Sequence, residues 1–143
     1  MQELLKRLEK IREYILPQTE SLMQEHREEI YYAIETVFAT LHAARYEGFS
    51  GVERIIREIK KNEIIPLMSQ EYAEVLNELM ERPEIDYLLE KMLEEYDTTE
   101  RNAFEDFIRY LMMRSMMLLL NGNTDRIAKA VCWSMLPPKE RRK

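Results

Sequence analysis

Ala43-Ala44-Arg45-Tyr46-Glu47-Gly48-Phe49-Ser50-Gly51-Val52-Glu53-Arg54 is the stretch on which the fold turns. Upstream of it, Leu22, Met23, Ile30, Ala33, Ile34, Val37, Phe38, Leu41 and Ala44 recur at steps of three and four, the period of a helix with one buried face. Gly48 suits the end of that helix, because glycine takes the left-handed conformation without a Cβ clash. Ser50 and Glu53 have the spacing of a capping box, in which each side chain satisfies a backbone donor of the other at the start of a helix. Val52, Ile55, Ile56 and Ile59 then give a narrow apolar stripe, and Lys60-Lys61 favour a helix C-terminus through the dipole. The pattern is helix, break, helix.

The same signals recur on both sides. A first helix is expected from about Gln2 to Tyr14, with Leu4, Leu5, Leu8, Ile11 and Ile15 on one stripe and Pro17 stopping it. The long second helix runs from about Glu20 to Tyr46. Pro66 and Ser69 mark a joint before a fourth helix, about Gln70 to Glu81. Pro83 is expected in the first turn of a fifth, about Glu84 to Tyr96. Thr98 or Thr99 is the expected cap of the most apolar helix, about Glu100 to Asn121, closed by Gly122. A last helix starts near Asp125 and ends at Pro137-Pro138. These elements predict an all-α fold, a compact irregular array of about six or seven helices, in a single domain spanning 1–143 with a basic tail at 137–143.

Composition narrows the function classes. Three Gly and five Pro are too few for a fold with many β turns, and the net charge is −6. Phosphate binding needs a basic face, so an acidic body argues against nucleic acid as the partner. The basic residues among Lys139 to Lys143 read as a solvated end. Cys132 is the single cysteine, which excludes a disulfide framework and fits a reducing compartment. The run Leu111–Leu120 is broken by Arg114 and falls well short of the roughly 20 residues of a membrane span. A cytoplasmic protein without a transmembrane segment is expected.

No pattern of catalytic chemistry emerges. Neither His26 nor His42 follows a Glu at the three-residue spacing of carboxylate-bridged di-metal bundles. The two stand sixteen residues apart on one helix, about 160° around it at the helical period, so they do not share a metal. Cys132 lies among the apolar positions of its helix, the setting of an inert thiol. No catalytic residue, metal or cofactor is expected, and the chain is read as non-enzymatic. Met112, Met113, Met116 and Met117 form two adjacent pairs. Flexible methionines serve either as core filler or as an adaptable contact face, which leaves a homodimer seam along that helix open.

The opening stretch resembles the cytoplasmic loop of the flagellar stator protein MotA and its relatives. That loop opens with an Arg, a Gly three residues on, and a Glu closing a Leu-Glu-type dipeptide. Here Arg45, Gly48 and Val52-Glu53 stand at those spacings. Further on, Phe107-Ile108-Arg109-Tyr110-Leu111 to Leu120, the turn Asn121-Gly122-Asn123-Thr124-Asp125 and Ile127 are similar to the apolar helix, glycine turn and helix of the family, so the likeness covers 45–136. It implies that Arg45 and Glu53 are contacts for the rotor switch protein, with Arg54 and Arg57 extending the same charged face. Membrane helices and the ion-conducting prolines are missing from these residues, so a stator channel is excluded. What the resemblance implies is a soluble, rotor-facing module that binds a flagellar rotor or stator component. The same residues also admit a plain structural role, with Glu53 completing the cap on Ser50 and Arg45 paired to a carboxylate. The rival reading is a homo-oligomeric or small-subunit helical assembly protein with no flagellar role.

Overall fold

The computed structural model describes residues 2–141. Among them there is no strand, and the elements are α1 (Gln2–Ile15), α2 (Thr19–Glu47), α3 (Phe49–Lys61), α4 (Ala73–Glu81), α5 (Ile85–Thr98), α6 (Ala103–Asn121) and α7 (Asp125–Trp133). Short 3₁₀ turns at Leu16–Gln18 and Pro138–Glu140, and a π-helical segment at Met68–Tyr72, complete the chain. The fold is the expected all-α array. No helix among the described residues is long and apolar enough to cross a membrane.

Two long helices organise it, and the second helix expected from the sequence as one piece is kinked at His26, where the backbone leaves helical geometry (φ −133°, ψ 30°). α2 packs on α3, α6 and α7, while α1 and α5 pack on α6. α4 joins α3 to α5. Buried side chains from Leu4 to Leu136 form one contiguous apolar cluster. A short polar chain crosses it: the Tyr72 hydroxyl donates to Ser115 Oγ at 3.2 Å, and Ser115 donates to the Met112 carbonyl at 2.6 Å. Burial pushes the Tyr72 phenol up to about 12, so it stays a neutral donor that ties the π segment to α6.

Three local expectations need correction. The capping box does not form. α3 begins at Phe49, directly after Gly48, so Ser50 is already a helical residue; its hydroxyl turns back to the Glu47 carbonyl at 3.1 Å and serves the end of α2 instead. α6 is capped by Asn102, whose side chain accepts from the Glu105 amide at 3.0 Å, rather than by either threonine. Thr98 and Thr99 both donate to the Glu95 carbonyl and close α5. Pro83 precedes the Glu84 cap of α5 and stays outside the helix.

The tail is also not a free end as far as it is described. Glu140 accepts from Arg27 Nη2 and the Tyr31 hydroxyl, each at 2.8 Å, and Arg141 donates to the Leu136 and Ser134 carbonyls. Both partners hold the Glu140 carboxyl below its ordinary range, the tyrosine bond first. Arg142 and Lys143 of the expected tail lie outside the described residues.

A candidate docking surface at the α2–α3 corner

Gly48, at φ 66° and ψ −148°, lies where side-chain-bearing residues are rare, and it turns the chain sharply out of α2 into α3. Gly51 then lets the two helices touch. A Cβ at Gly51 would stand 2.6 Å from Glu47 Cβ and 3.0 Å from the Ala43 carbonyl oxygen. With no room for side chains between the helices, the corner displays what flanks the turn. Phe49 is 64 % exposed and Tyr46 61 %, the two most exposed of the large apolar side chains described.

Phe49 borders a groove of about 210 Å³ whose other walls are apolar: Ala44, Val52, Leu76, Leu79, Met80 and Leu119 among them. α2, α3, α4 and α6 all contribute. An exposed aromatic beside an apolar groove is the arrangement that protein interfaces use as anchor and pocket.

Around it stand the charges expected from the sequence. Arg45 is exposed and donates from Nη1 to the Asn123 carbonyl at 2.8 Å, with its guanidinium 5.6 Å from the Tyr46 ring centre. It therefore braces the α6–α7 turn and is not paired with a carboxylate among the described residues. Arg54 is held between Glu47 at 2.8 Å and Glu58 at 3.4 Å, and the Glu47 hydrogen bond strengthens its charged state. Glu53 and Arg57 are exposed and have no partner among the described residues. With Ser50 engaged elsewhere, Glu53 has no capping task, which leaves its charge open to solvent or to another molecule. Tyr46, Phe49 and Gly51 were missed in the sequence. The signal for the first two was their position at a helix break, where no apolar stripe can absorb an aromatic.

A cleft of about 350 Å³ lies between the π segment, α4, α5 and α6 and is lined by Glu71, Glu74, Glu78, Lys91, Glu95 and Arg109 among others. Lys91 meets Glu78 at 3.1 Å and Arg109 meets Glu71 at 3.4 Å, while burial raises the Glu71 carboxyl. Asp106 is fully buried with neither oxygen hydrogen-bonded; Arg101 Nε is 3.9 Å away, and burial again raises the carboxyl. No group of three His, Cys, Asp or Glu side chains among the described residues is placed to hold a metal. His26 stacks on Phe104 with ring centres 4.1 Å apart, and His42 bonds Asp125 at 2.8 Å. Burial pushes the Cys132 thiol up to about 12, far from a reactive thiolate.

The methionine seam is a correction. Met112, Met113, Met116 and Met117 are all buried in the chain's own core, because α1, α2 and α5 cover α6 between them. They offer no face to a second copy.

No protein-family model matches the chain, nor does any curated protein or solved structure.

Proposed function

We propose that this chain is a non-enzymatic, cytoplasmic protein-interaction module that docks its partner on the α2–α3 corner. The observation that carries the proposal is Phe49, held out in solvent beside an apolar groove by a glycine turn and a close helix crossing. Leaving a Phe exposed forgoes roughly 2 kcal/mol of burial, which a docking partner recovers. Arg45, Glu53 and Arg57 at the same corner supply orientation and steering more than affinity. The buried cysteine and the paired surface carboxylates support a role without catalysis. The resemblance of Arg45–Gly48–Glu53 to the MotA loop makes the rotor switch protein, or a stator subunit, the first partner to test.

The test is a calorimetric titration at low ionic strength against the C-terminal domain of the same organism's rotor switch protein, where exposed charges are least screened. Saturable binding is expected, weakened about tenfold or more by Phe49→Ala, in line with loss of a buried aromatic anchor, and weakened again by Arg45→Glu. Phe49 is exposed, so its variant should keep the wild-type helicity and urea midpoint, while Arg45→Glu should keep the helicity and lose only the brace on the Asn123 carbonyl. Binding that both variants leave unchanged would place the contact elsewhere. Absence of any heat would remove the rotor from the proposal.

A further inference from the structure

We propose that the α5–α6 junction is a proton-operated latch, with α5 closed on α6 while Asp106 is neutral and released once Asp106 ionises. This is independent of the docking corner. Asp106 lies near the start of α6, fully buried, and neither of its oxygens has a hydrogen-bond partner among the described residues. A carboxyl held that way is stable as the neutral acid, and its anion needs water or a donor that the closed form does not provide. Arg109 and Met113, three and seven residues further along the same face of α6, border a small cavity together with Met92 and Glu95 of α5. Asp106 therefore belongs to the side of α6 that α5 covers. The counter-ion within reach is Arg101, whose Nε stands 3.9 Å away. Its guanidinium lies 3.8 Å from the centre of the Tyr96 ring, and its Nη2 donates to the Thr99 carbonyl at 2.8 Å and to the Tyr96 carbonyl. Arg101 is clipped to the end of α5, so it closes on an ionised Asp106 only by letting that end go.

The rest of α5 is built to swing. Its main packing partners are α6 and α4, and the cleft of about 350 Å³ runs along its α4 side, bordered by Leu88, Met92 and Glu95. The ion pairs Arg7–Asp97 and Lys91–Glu78 that tie its polar side are largely solvent-exposed and hold weakly. The groups whose charge acts on Asp106 are Arg101 from the junction, Arg109 and Glu105 from α6, and Tyr96 from α5. Arg109 also meets Glu71 of the π segment at 3.4 Å. α1 and α2 bring Arg7 and His26 to this end of the molecule, where Arg7 pairs with Asp97 and His26 bonds Glu29 and stacks on Phe104. Burial raises the Asp106 carboxyl in the closed form, and opening returns it to its ordinary range. Closure is therefore fully favoured below the ordinary carboxylate range and weakens as pH rises through the raised value. Opening bares Leu88, Leu89, Met92 and Leu93, all buried when α5 is closed.

Amide hydrogen exchange of the intact chain, corrected for the intrinsic effect of pH and followed helix by helix from about pH 4 to about pH 8, tests this. Protection of the α5 amides should fall by about fivefold or more over that range while α2 keeps its protection, since moving a carboxyl midpoint by one pH unit changes the opening equilibrium about tenfold once the group is ionised. In Asp106→Asn the protection of α5 should be independent of pH. Arg101→Gln is the second variant, and serves alone if Asp106→Asn does not fold. It removes the one cation near the anion, so it should speed α5 exchange more at neutral pH than in acid. Wild-type protection of α5 that is flat with pH overturns the latch. So does a fall that Asp106→Asn preserves, or an Arg101→Gln effect equal at both ends of the range. A fall shared equally by every helix, or confined to the first turn of α6, overturns the release of α5.

Discussion

Gly51→Ala isolates the contact that shapes the corner, and two effects of opposite sign compete in it. In a helix interior alanine is favoured over glycine by up to about 1 kcal/mol, so propensity alone calls for a more stable protein. The added Cβ, however, would meet Glu47 Cβ at 2.6 Å, the Ala43 carbonyl oxygen at 3.0 Å and Ala43 Cβ at 3.1 Å. None of these atoms is the far end of a flexible side chain; all are fixed to the α2 backbone, so α3 must lift away. Lifting it loosens Val52, Ile55 and Ile56, which are buried on the same helix. Overpacking of this kind costs typically about 1–3 kcal/mol, so a net destabilisation of about 1–2 kcal/mol is expected. Gly48→Ala is the internal comparison. Nothing lies within 4 Å of a Cβ there, and its cost comes wholly from the backbone at φ 66°, about 1–3 kcal/mol. Equilibrium urea unfolding followed by circular dichroism reads both, with unchanged slope showing that stability and not compactness has moved. A Gly51→Ala variant as stable as the wild type, or more so, refutes the close crossing, and with it the reason Phe49 is held in solvent.

Three further outcomes follow from the core. Met116→Ala, at a fully buried position, should cost about 2–5 kcal/mol in the same unfolding assay and leave the sedimentation coefficient unchanged; a change of oligomeric state without loss of stability would revive the methionine seam. Cys132, with its thiol pushed up to about 12, should be inert to a thiol reagent at neutral pH and react only at the rate of unfolding. Asp106 has a carboxyl raised by burial, so its ionisation opposes folding: its contribution is most favourable below the ordinary carboxylate range and is lost as pH rises through the raised value. Asp106→Asn should therefore stabilise the protein at neutral pH by more than it does in acid, and a gain equal at both pH values would show that the carboxyl is not desolvated.

The periodicity of apolar residues determined by itself that this chain is helical, where α2 and α6 lie, and that Gly48 and Gly122 end them. Those features are local: each rests on a period of three to four residues or on the one residue type that tolerates positive φ. Arg45, Glu53, Arg54 and Arg57 could likewise be read as a charged group around a helix break. What each charge does was not legible. Whether Ser50 caps α3 or α2 depends on a single residue of phase between Gly48 and Phe49, and sequence patterns place helix boundaries no better than that. The four methionines and the aromatic pair show the same limit from opposite sides. Met112 to Met117 are flexible enough for surface or core, and only the packing of α1, α2 and α5 around α6 buried them. Tyr46 and Phe49 are as apolar as any core residue, and only the tertiary crossing at Gly51, which has no space between the helices for a ring, put them in water. Burial belongs to pairs of helices, and a single helix carries only half of that information.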